Sequence, residues 1–84
     1  MNNGIICDID LFGMTNFYTF NGENKELITK TLSSVSDICY TLENLLLASN
    51  SNYIHLFGLE QHAEAIIETL QTRNLFNNLI IEVN

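Results

Sequence analysis

Two alternating stretches open the chain. Over residues 5–12, Ile5, Cys7, Ile9 and Leu11 alternate with Ile6, Asp8, Asp10 and Phe12, the period-two pattern of a half-covered strand. Gly13 and Met14 interrupt it. Residues 15–20 (TNFYTF) are β-branched and aromatic, and predict a second strand hairpinned to the first. Asn21-Gly22 supplies a turn dipeptide. The period then changes. Ile28, Leu32, Val35, Cys39, Leu42 and Leu46 are spaced 4, 3, 4, 3, 4, with Leu27, Ile38 and Leu45 widening the stripe. That predicts a helix from about residue 25 to 48, with Asn24 as N-cap and Glu26 in the first turn.

Residues 53–57 (YIHLF) predict a third strand, and Gly58 a strand-to-helix turn. Residues 59–73 predict a second helix. Leu59, Ala63, Ile66 and Leu70 share one face, and Glu60, Glu64 and Glu68 another. Residues 79–83 predict a last strand. The order is β-β-α-β-α-β, read as a single α/β (α+β) domain over residues 1–84. Strands joined through helices run parallel, with right-handed crossovers. The expected sheet is four-stranded and mixed, in order 2-1-3-4, with both helices on one face.

Handedness leaves the other face bare. The covered face takes Ile5, Cys7, Ile9, Leu11, Ile54, Leu56, Leu79, Ile81 and Val83. The open face takes Asp8, Asp10, Tyr53, His55, Phe57, Ile80 and Glu82, with either Tyr18 and Phe20 or Phe17 and Thr19 from strand 2. A helix of about 36 Å at 1.5 Å per residue overhangs such strands. Leu45, Leu46 and Leu47 at its end then need another cover, and are the expected oligomer interface. The element order resembles a shortened ribonuclease-H-like fold, an antiparallel meander followed by parallel α/β crossovers. That resemblance implies an acid on the first strand, with further acids at the first helix and near a later strand end.

Charge sharpens this picture. Ten acids face three bases (Lys25, Lys30 and Arg73), giving −7, while asparagine occurs twelve times. Phosphate contacts need Lys and Arg, so direct nucleic-acid binding is not expected, nor is an anionic membrane surface. A basic protein partner, such as a nucleic-acid-binding protein, is the expected complement. Small acidic antagonists of phages and mobile elements share this profile of size and charge. The N-terminal residues carry no basic region followed by an apolar stretch, so a cytoplasmic protein with reduced Cys7 and Cys39 is expected.

Each candidate chemistry has a plainer alternative. Asp8 and Asp10 project to the same side of a strand and could hold Mg²⁺ or Mn²⁺. The third strand, however, ends in YIHLFG without a carboxylate. His55 and His62 fall on different elements. No C-x-x-C motif or basic neighbour activates either cysteine. Gly58 is followed by Leu59 and Glu60, unsuited to a phosphate. The expectation is therefore a non-enzymatic binding protein with no metal and no cofactor, acting as a homodimer. Its partner surface is Asp8, Asp10, Tyr18, Tyr53, His55 and Glu82. A homo-oligomeric accessory protein and a small metal-dependent enzyme are the alternatives.

Overall fold

The computed structural model describes residues 3–73 and 78–84. Its elements are β1 (Asn3–Ile9), β2 (Met14–Asn21), β3 (Asn24–Leu32), α1 (Val35–Ser49), β4 (Tyr53–Leu56), α2 (Glu60–Arg73) and β5 (Ile80–Val83). The fold is mixed, with two helices, but the sheet has five strands in order β3-β2-β1-β4-β5, not four.

The extra strand corrects the expected long helix. Gly22 has φ +66°, and Asn21 pairs with Asn24 across a two-residue loop, a tight hairpin that glycine permits. The chain thus returns along β2 as β3, helped by β-branched Ile28, Thr29 and Thr31. Asn24 is a strand residue, not an N-cap. The helix begins ten residues later, at a reciprocal cap. Ser34 is extended, its Oγ accepts from the Asp37 amide at 3.1 Å, and its hydroxyl donates to Asp37 Oδ2 at 2.8 Å. Asn50, at φ 56°, closes the helix in the left-handed conformation. Ile28 and Leu32 fit a helical stripe only by numerical coincidence, and both are exposed on β3.

Antiparallel β1–β2 and β2–β3 pairs form a meander, and β1–β4 and β4–β5 are parallel. A meander followed by crossovers by itself gives no function. The register fixes the faces. Ile5 and Cys7 lie beside Thr19 and Phe17 on one side and Ile54 and Leu56 on the other. These residues, apart from Thr19, are buried with Ile38, Cys39, Leu42 and Leu46 of α1, Leu59 just before α2, and Ala63, Ile66 and Leu70 of α2. Asn16, Tyr18 and Phe20 therefore take the open face, which decides between the two sets offered by β2.

Three expected positions differ. Ile9 is half-exposed and Leu11 fully exposed, because β1 ends at Ile9 and Leu11 sits in the following turn. Val83 lies on an edge strand and is also exposed. The overhang disappears, because fifteen residues make a helix of only about 22 Å. Leu46 is 1% exposed in the protein's own core and Leu45 packs against that core. Of the interface expected at Leu45, Leu46 and Leu47, only Leu47 remains open to solvent.

Candidate functional site: the open sheet face

The register brings Asp8, Tyr18, Tyr53, His55 and Glu82 to the side of the sheet away from the helices. Asp10, expected on the same strand, lies just past the end of β1 and joins them through Lys30. They form two groups. On β4 and β5, Tyr53 donates its hydroxyl hydrogen bond to Glu82 Oε1 and lies 3.1 Å from His55 Nδ1. His55 Nε2 pairs with Asn84 Oδ1. Burial pushes the Tyr53 phenol up to about 12, and the Glu82 carboxylate beside it acts in the same direction. The rings form a row. Phe20 meets Tyr53 edge-on at 5.7 Å, Tyr53 meets His55 edge-on at 6.2 Å, and His55 stacks on Phe57 at 4.0 Å.

Gly4 makes the row possible. A Cβ there would sit 2.6 Å from Tyr53 Cδ2 and 2.7 Å from Phe20 Cε1. Only a residue without a side chain lets rings from β2 and β4 meet across β1.

The second group lies on β1, β2 and β3. The Asp10 carboxylate accepts from the amides of Phe12 at 2.9 Å and Met14 at 3.1 Å. The Met14 amide first, then that of Phe12 and the nearby Lys30, hold this carboxyl below the ordinary aspartate range. Lys30 Nζ is 3.7 Å from it. Asp8 Oδ1 accepts from Asn16 Nδ2 at 3.0 Å. Burial, and then the charge of Asp8, raise the Tyr18 phenol. Lys25 Nζ sits 4.4 Å above the Tyr18 ring centre. Lys25 and Lys30 were hidden from sequence reasoning by the helix assigned to residues 25–48. The visible signal for them was the turn dipeptide before a threonine-rich stretch.

The remaining candidates do not join this face. His62 is on α2, beside Ile9 and Gly58. The Gly58 amide already donates to the Asn84 carbonyl at 3.2 Å. Cys7 and Cys39 are free and buried, and burial raises both thiols. Among the described residues, no three His, Cys, Asp or Glu side chains converge as a metal-binding group. No helix is long and apolar enough to cross a membrane among those residues.

Fold and face together define a small mixed α/β domain, helix-covered on one side of its sheet and aromatic and hydrogen-bonded on the other. Comparison with protein-family models, curated proteins and solved structures finds no match to this chain.

Proposed function

We propose that this protein is a small acidic, non-enzymatic binding protein that docks on a basic protein partner, in the manner of phage or mobile-element antagonists. One observation carries the reading: its charge is segregated. The open sheet face holds two of the three cations, Lys25 and Lys30, and three of the ten acids, Asp8, Asp10 and Glu82. It is left with a single negative charge. The rest of the molecule carries seven acids, the buried Glu43 among them, against Arg73 alone, and is left with six net negative charges.

Arg73 is itself committed. Its Nε lies 2.5 Å from Glu43 Oε2, an ion pair without hydrogen-bond alignment. Glu60, Glu64 and Glu68 stand exposed along α2 and, among the described residues, make no ion pair. Such a field steers a basic partner and raises its rate of association. The acids of the sheet face are less available, since each is already held by an amide, a lysine or a tyrosine. The same engagement argues against a metal-dependent enzyme at Asp8 and Asp10.

The test is capture from native host extract with wild-type protein and with a Glu60→Gln/Glu64→Gln/Glu68→Gln variant. The expected result is a basic protein captured by the wild type, released by raising salt from about 0.1 M to 0.5 M, and lost with the triple variant. Capture that survives the triple variant but is lost with Asp10→Lys and Tyr53→Ala moves the site to the sheet face. Capture indifferent to all these changes overturns the electrostatic reading.

A further inference from the structure

We propose that the open sheet face is a self-association surface, occupied by the same face of a second copy in a two-fold dimer. This stands apart from the docking of a basic partner, which concerns the opposite side of the molecule. Charge makes the first case. Two chains of −7 repel, and they approach most easily through their least charged surfaces. The open face has one net negative charge, and Lys30–Asp10, Lys25–Tyr18, Asp8–Asn16 and Tyr53–Glu82 are already paired within it.

Exposed apolar surface makes the second. Eleven large apolar side chains are exposed among the described residues. Leu27, Leu32, Phe57 and Ile80 lie on this face, Leu11 and Phe12 stand in the turn that follows β1, and the other five lie elsewhere. Leu11 is 100% exposed and Phe12 89%. The turn presenting them is held rigidly. The Asp10 carboxylate takes two of its amides, Gly13 N–H donates to the Asp10 carbonyl at 3.1 Å, and Ser33 Oγ donates to the Gly13 carbonyl at 2.6 Å. A fixed turn that displays two apolar side chains and buries neither is preorganised for an apolar seat.

The same face offers that seat at its other end. A depression of about 620 Å³ is lined by Phe20, Tyr53 and Ile80 together with the polar Asn3, Asn50, Ser51 and Asn52, so its apolar part is the Phe20–Tyr53–Ile80 wall. The prong follows the last residue of β1 and the depression adjoins its first. Seven residues separate them by about 23 Å. When two copies face each other with strands antiparallel, each prong lies over the depression of the other. One two-fold operation satisfies both ends, as an isologous interface requires. Five strands make a face about 24 Å wide, so its flat area is about 550 Å². That falls short of the roughly 800 Å² per partner of a stable interface, so the dimer requires the two seated prongs as well as the flat face.

Sedimentation equilibrium of the full chain at micromolar concentration tests this. The expected mass is twice 9.5 kDa. Leu11→Ser/Phe12→Ser, which alters only exposed side chains, is expected to weaken the dimer on the order of thirtyfold or more, while the melt measured at a dilution where both proteins are monomeric is unchanged. Ile80→Lys at the seat is expected to do the same from the other end. The α2 glutamine triple variant remains dimeric, which separates this surface from the docking side. A wild-type mass of 9.5 kDa, or a dimer that survives both changes, overturns the proposal.

Discussion

Single residues set the open face more by what they lack or neutralise than by charge. Gly4 keeps the Phe20–Tyr53 contact open, so Gly4→Ala must push one ring aside. We expect a loss of about 1–3 kcal/mol in urea unfolding, in the range of an overpacked site. Tyr53 offers a pH signature. Its phenol is pushed above the ordinary value of about 10, so the neutral form is favoured in the fold. Its contribution is complete below pH 10 and is lost as pH rises towards 12. Ultraviolet titration should show Tyr53 and Tyr18 ionising late, and Glu82→Gln should bring Tyr53 alone back towards its usual range. An unshifted titration in the wild type would remove the Tyr53–Glu82 bond from the account.

At the scale of elements, the long helix expected over residues 25–48 divides at Ser33 and Ser34. The 4-3 spacing of apolar residues was a true signal from Val35 onward and accidental before it. The cap pattern Ser34-Val35-Ser36-Asp37 was legible and marks the real start. Ser34→Ala should cost about 1 kcal/mol, read as a lower midpoint in urea at unchanged slope. On α2, Glu60, Glu64 and Glu68 form two like-charge pairs at i, i+4. Glu64→Gln removes both at once. A stability gain of roughly 0.4–1 kcal/mol is expected at low salt, shrinking as salt is added. A gain that ignores salt would mean packing, not repulsion, is involved.

For the whole molecule, most of the net charge lies away from the open sheet face, so two kinds of association respond oppositely to salt. The dimer brings together fourteen net negative charges and should tighten as salt screens them. The complex with a basic partner should weaken under the same change. Dimer and partner dissociation constants at about 0.05 M and 0.5 M salt check this, and a parallel response would break the separation of the two surfaces.

Much of this architecture follows from local pattern. Period-two alternation located β1, because a half-covered strand must alternate its side chains, and β-branched and aromatic content located β2. The short runs over residues 53–57 and 79–83 located β4 and β5. Helical spacing found α2 and most of α1. Right-handed crossovers put both helices on one side, so the sequence determined that Asp8, Tyr53, His55 and Glu82 share the other. Residues 24–32 were not decided that way. Leu27, Ile28 and Leu32 fit either period, and only pairing with β2 across the Gly22 turn selects a strand, since tertiary hydrogen bonding overrides local propensity. That one choice carried Lys25 and Lys30 onto the sheet face, cancelled most of its charge, shortened α1 and drew Leu46 into the core. Net charge is a property of composition and could be read from the sequence. Its distribution is a property of register, and register exists only once the strands have paired.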